Sequence, residues 1–180
     1  MQQQPMVLIL GGARSGKSTL ALKEAEALAQ SRAKQPCFVA TAEALDAEMQ
    51  DRIARHKAER GDHWQVMEAP LDLVAAIEAA GATAGAVLID CLTLWLSNVM
   101  HHDRDVDAEV KAVLNASRVA QCPLVFVSNE VGLGLVPQTP LGRRFRDAQG
   151  RLNQAFAEQA DTAVFVAAGL PLSLKGSLLA

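Results

Sequence analysis

Short apolar runs alternate with longer stretches that have helical spacing. Met6 to Leu10 is a five-residue apolar run, and Ser18 to Gln30 has the alanine, leucine and glutamate content of a helix. Cys37 to Thr41 is a second apolar run. Asp46 to Arg60 follows as a predicted helix, with Leu45, Met49 and Ile53 at four-residue spacing, and Leu71 to Ala80 reads as another. Ala86 to Ile89 and Leu124 to Ser128 are apolar enough to be buried strands, with a helix-like stretch from Asp107 to Ala120 between them; Thr162 to Ala167 is the last strand. Strands this short and this apolar, separated by helices, predict an α/β fold with a mostly parallel sheet covered on both faces, because parallel strands need crossover connections. Val131 to Pro140 holds two glycines and two prolines and is expected to be a loop. Leu170 to Ala180 reads as a fraying tail, or as a segment docked on the sheet edge through Lys175 and its apolar neighbours.

Composition narrows the class. A chain of 180 residues, half of them hydrophobic, can bury one continuous core, so residues 1–180 are expected to form a single domain without internal repeat or linker. A net charge of -3 and the absence of a long basic run argue against a nucleic-acid partner. Cys37, Cys91 and Cys122 lie among apolar residues at spacings that fit no zinc pattern. They are expected to be reduced, which points to the cytoplasm. Met1 to Pro5 carries no basic segment and the apolar stretch after it stops at glycines, so neither a signal peptide nor a membrane span is expected.

The chemistry begins where the first strand ends. Gly11-Gly12-Ala13-Arg14-Ser15-Gly16-Lys17-Ser18 lies between a strand-like and a helix-like run, the setting a phosphate-binding P-loop requires. Gly11 and Gly16 allow the backbone to approach phosphate closely, Lys17 reaches the β- and γ-phosphates, and Ser18 offers a hydroxyl to magnesium. The competing account is a chance glycine-rich turn, which the flanks on both sides disfavour. Asp90, at the end of a buried strand, is the candidate second magnesium residue, although an aspartate there also serves as a turn residue or helix cap. His56 shares a helix face with Met49, Ile53 and Arg60. Alone, it reads as a partly buried helix residue. A neutral imidazole can nevertheless attack an α-phosphate, expel pyrophosphate and carry the nucleotide.

Taken together, Gly11 to Ser18, Thr41-Ala42-Glu43, Arg52-Ile53, His56-Lys57, Trp64, Glu68, Asp90 to Thr93, Asn129 to Gly132, Val136-Pro137, Phe145 to Asp147, Gly150, Asn153 and Gln154 resemble the CobU/CobP family. That family comprises bifunctional adenosylcobinamide kinases and adenosylcobinamide-phosphate guanylyltransferases of vitamin B12 biosynthesis. The resemblance implies a RecA-like P-loop fold, GTP and ATP as co-substrates, Mg2+, and a guanylylated histidine, which His56 matches. Relatives with two adjacent histidines differ from this chain, which has Arg55 before His56. The resemblance also implies guanine-nucleotide contacts at Thr41, Ala42, Glu43, Lys57, Arg60, Glu68 and Asp90, and a homo-oligomer, with a trimer indicated. Glu68, if buried, could accept hydrogen bonds from guanine N1 and N2. Arg143, Arg144, Arg146 and Arg151 are either a solvated helix face or phosphate donors.

The expected mechanism has two steps, phosphorylation of adenosylcobinamide at its aminopropanol arm and then transfer of GMP through His56 to adenosylcobinamide phosphate, giving adenosylcobinamide-GDP. Guanylylation is expected to weaken below a pH of roughly 6.5, the ordinary imidazole value. The rivals are a small-molecule kinase in which His56 only packs, and a regulatory GTP-binding switch. The second lacks the Asn-Lys-x-Asp motif of switch GTPases.

Overall fold

The computed structural model describes residues 4–43 and 63–180. The predicted helix from Asp46 to Arg60, with His56, Lys57 and Arg60, lies outside the described residues. The described strands are β1 (Met6–Gly11), β2 (Cys37–Ala40), β3 (Gln65–Glu68), β4 (Val87–Asp90), β5 (Leu124–Asn129), β6 (Thr162–Ala167) and β7 (Leu170–Lys175). The helices among them are α1 (Lys17–Gln30), α2 (Leu73–Thr83), α3 (Leu92–His101), α4 (Val106–Arg118) and α5 (Pro140–Gln159). The strands form one sheet in the order β3-β2-β4-β5-β1-β6-β7, parallel throughout except that β7 runs antiparallel to β6.

Both faces are covered, as the all-apolar strands require. On one face Ala21, Ala25, Leu28 and Ala29 of α1 pack on Val7, Ile9, Leu88, Val125 and Val127. On the other, α2, α3, α4 and α5 supply Leu73, Trp95, Val113 and Phe156 against Met6, Leu8, Ile89 and Phe126. Small residues let α1 lie close to the sheet, and a Cβ on Gly85 would come within 2.8 Å of Ala29 Cα. Asp105 caps α4 by accepting from Ala108 N at 3.0 Å. Thr139 caps α5 by accepting from Gly142 N at 3.1 Å, with Pro140 in its first turn.

β3, α3 and β7 are elements that the sequence reading does not assign outright. Of the two readings of the last segment, docking on the sheet edge holds: residues 170–175 form β7, joined to β6 by Ala168 (φ 52) and Gly169 (φ 79), whose positive φ values make a tight two-residue hairpin turn. Lys175 does dock, donating to the Glu158 carbonyl at 3.0 Å at the end of α5. The segment after Asp90 forms α3, buried nearly all round, so it shows no one-sided stripe. No helix among the described residues is long and apolar enough to cross a membrane.

Candidate nucleotide site

Gly11, Asn129, Asp90 and Glu68 end parallel strands on the same side of the sheet, and residues 12–16 pass from Gly11 into α1. The chain leaves β1 toward β2 on one side and returns in β6 on the other, so the loop lies where strand order reverses, the usual ligand crevice of an α/β sheet.

The loop's conformation explains its composition. Arg14 takes φ 55 and Gly16 φ 95, left-handed values that turn the backbone sharply before α1. A Cβ at Gly11 would meet Ser15 Oγ and the Val166 carbonyl at 2.6 Å each. Gly16 packs against Gly169, while Gly169 N donates to the Ser15 carbonyl at 2.8 Å, so the β6–β7 turn buttresses the loop. Lys17 is buried, with Nζ donating to the Gly12 carbonyl at 3.1 Å. Ser18 is half-buried and Ala13 and Arg14 are exposed. The start of α1 brings backbone amides and a partial positive charge to the loop, which suits phosphate.

Next to the loop, Asp90 is half-buried at the end of β4. Burial first, and then the Asp90 carboxylate, push the Cys91 thiol up to about 11, with Lys17 pulling the other way. Asp90 and Lys17 therefore act on the same small volume. Ser18 and Asp90 offer only oxygen donors, a set that fits a hard cation such as magnesium, which keeps several waters and needs few protein ligands.

Hydrogen bonds fix the strand ends around this volume. Thr41 Oγ1 donates to the Cys91 carbonyl and accepts from Cys91 N, both at 2.8 Å. Asn98 Nδ2 donates to the Thr41 carbonyl at 2.8 Å and to the Pro70 carbonyl at 3.0 Å, tying the ends of β2 and β3 together. Thr93 Oγ1 accepts from Asn129 N at 2.8 Å, Asn153 Nδ2 donates to the Asn129 carbonyl at 3.1 Å, and Glu130 N donates to the Gly11 carbonyl at 3.1 Å. Behind them, Ser128 Oγ donates to Asn153 Oδ1 at 2.7 Å and accepts from Gln149 Nε2 at 2.9 Å. Ser15 Oγ and Asn129 Oδ1 are buried without a hydrogen-bond partner among the described residues. Buried polar atoms are normally paired, and this orphaned pair suits a polar ligand.

Of the sequence candidates, Gly11 to Ser18, Thr41 and Asp90 come together at one end of the sheet. Ala42 and Glu43 follow Thr41 half-buried, with Glu43 Oε1 3.3 Å from His102 Nε2. Glu68 is exposed, not buried as its expected guanine role assumed, because β3 is an edge strand with outward-facing residues. The basic cluster divides. Arg143 donates to the Pro137 and Gln138 carbonyls at 3.1 and 2.8 Å, and Arg146 lies 3.8 Å from Asp147. Arg144 and Arg151 face a groove of about 470 Å³ that also holds Asp103, Asp105 and Asp107 and no residue of the phosphate loop. Asn98, Ser128 and Gln149 were not legible as site supports, although a polar residue inside an apolar run, as at Ser128 and Asn98, is the signal that could have marked them.

The protein-family profile described as "Cobinamide kinase / cobinamide phosphate guanyltransferase" matches residues 7–174. The bifunctional adenosylcobalamin biosynthesis protein CobP of Pseudomonas aeruginosa is 45% identical, over 96% of this chain and 98% of its own length. The CobU proteins of Salmonella typhimurium and Escherichia coli, given the same bifunctional description, are 36% and 35% identical, each over 94% of this chain and 99% of their own lengths. Among solved structures, a KaiC-like protein of Pyrococcus horikoshii superposes with a TM-score of 0.54 at 13% identity, over 92% of this chain and 72% of that one, and supports the RecA-like P-loop fold alone. Sequence and fold agree, and the chain belongs to the cobinamide kinase / cobinamide phosphate guanyltransferase family.

Proposed function

We propose that this protein phosphorylates adenosylcobinamide with ATP or GTP and then transfers GMP from GTP, through a guanylyl-histidine at His56, to give adenosylcobinamide-GDP in the cytoplasm. The observation that carries the reading is the phosphate loop at the sheet's reversal point, with Asp90 ending the strand two places away. The loop amides and the start of α1 bind the phosphates. Lys17 neutralises charge that develops as the γ-phosphoryl group moves. A magnesium ion held by Ser18 and Asp90 would supply further charge neutralisation when bound. Thr41, Ala42, Glu43, Lys57, Arg60, Glu68 and Asp90 surround the nucleotide, in keeping with the family resemblance. In the second step an imidazole nitrogen of His56 attacks the α-phosphorus of GTP, a P–N bond forms, and the P–O bond to pyrophosphate breaks with its electron pair on the leaving group. A phosphate oxygen of adenosylcobinamide phosphate then displaces His56.

We further propose a homo-oligomer, in keeping with Leu170, Leu172 and Leu174, which stand exposed at alternate positions of the edge strand β7.

The test is incubation with magnesium and GTP labelled at the α-phosphate, using wild type and His56→Ala, followed by acid and alkali treatment. Acid-labile, alkali-stable label that is lost in His56→Ala is expected for a phosphoramidate. No label on a folded wild type would leave the kinase reading, in which His56 only packs.

A further inference from the structure

The chain from the end of β5 into the first turn of α5 exposes large aliphatic side chains to solvent. Leu133 is 82%, Leu135 96%, Val136 64% and Leu141 64% exposed. Both ends of this loop are fixed. At the start, Glu130 N holds the Gly11 carbonyl and the Glu130 carboxylate accepts from Gly132 N. At the far end, Arg143 holds the Pro137 and Gln138 carbonyls. Between them, among the described residues, a Cβ on Gly134 would meet nothing within 4 Å. A contiguous exposed apolar patch rimmed by polar groups marks a binding surface.

We infer that this loop seats the apolar body of the acceptor substrate, a methyl-rich corrin macrocycle, while the arm to be phosphorylated reaches back toward Gly11. The inference rests on the proposed function and adds to it the place where the acceptor sits. The loop grows directly from Asn129, the register partner of Gly11, so a ligand resting on it lies next to the phosphate loop. Ser18, Asp90 and Asn129 are half-buried polar residues at this end of the sheet, suited to phosphates, and a macrocycle needs apolar surface beside them. The exposed apolar row on β7 lies along an edge strand whose turn already supports Ser15, and an exposed edge row is suited to a subunit contact.

The double variant Leu133→Asn/Leu135→Asn tests this, because both side chains are solvent-exposed and their replacement leaves the core intact. The readouts are KM for adenosylcobinamide in the kinase step, Kd for GTP, self-guanylylation and sedimentation. A KM increase of roughly tenfold or more is expected, with GTP affinity, guanylylation and sedimentation unchanged, the signature of lost acceptor binding. Leu133→Met/Leu135→Met keeps the apolar surface and restores a KM near the wild-type value. An unchanged KM overturns the proposal, as does a weaker GTP affinity. A shift to smaller species overturns it in favour of a subunit contact. A wild type that phosphorylates no corrinoid removes the proposed function itself, and that outcome is read before any variant is made.

Discussion

Gly16 holds φ 95, and a Cβ placed there would lie 3.2 Å from Gly169 Cα. Gly16→Ala therefore adds a left-handed penalty and a clash with the turn that buttresses the phosphate loop. A loss of about 1–2 kcal/mol is expected from the conformation alone, with weakened GTP binding, checked by denaturant midpoint and nucleotide titration. Glu24 is buried at 1% exposure, and its carboxylate accepts from Leu179 N at 2.9 Å and Ala180 N at 2.9 Å. Glu24→Ala removes a buried charged acceptor of two hydrogen bonds, so a loss of roughly 1.5–3 kcal/mol is expected in the same measurement. An unchanged midpoint would show that the C-terminal residues do not depend on this carboxylate. The motif residues Gly11 to Ser18 were legible in sequence because each type answers a local backbone or phosphate demand. Glu24 was not, since a glutamate on a predicted helix looks like any solvated one until a distant segment covers it.

At the level of elements, Cys91 is the N-cap position of α3, and its thiol is buried, with its pKa raised by burial and then by the Asp90 charge. Cys37, at the start of β2, is likewise raised to about 11, by burial and then by Cys122. A thiol whose folded value exceeds its unfolded one binds the proton more tightly when folded, so its contribution is complete below the unfolded value. Stability is expected to fall as pH rises from about 9 toward 11, while the unfolded chain ionises first. Thermal melts across that window check the sign, and a rising midpoint would contradict it. At neutral pH both thiols should resist alkylation until the protein is denatured. Strands β1, β2, β4, β5 and β6 were legible as apolar runs because parallel strands covered on both faces carry no polar alternation. The same reasoning hides β3, which is short, exposed and at an edge, and α3, whose burial on most sides erases helical periodicity. For β7, Leu170, Leu172 and Leu174 do alternate, but an apolar row facing solvent resembles a tail unless the Ala168-Gly169 turn is recognised.

For the whole molecule, the exposed row on β7 predicts association. Replacing Leu172 and Leu174 with asparagine should shift sedimentation toward a smaller species, and a wild type that is already monomeric would remove this reason for assembly. The nucleotide end depends on the entire chain, because β1 pairs with β5 and β6 and the turn after β6 supports Ser15. This order bears on synthesis. The strand that carries the phosphate loop, β1, is made before β2, β3 and β4, yet both of its neighbours, β5 and β6, come after all of them. Until then it has two unsatisfied hydrogen-bonding edges, a state that invites misassociation. Nucleotide binding during synthesis thus has to wait until β5 and β6 have been made and have paired with β1.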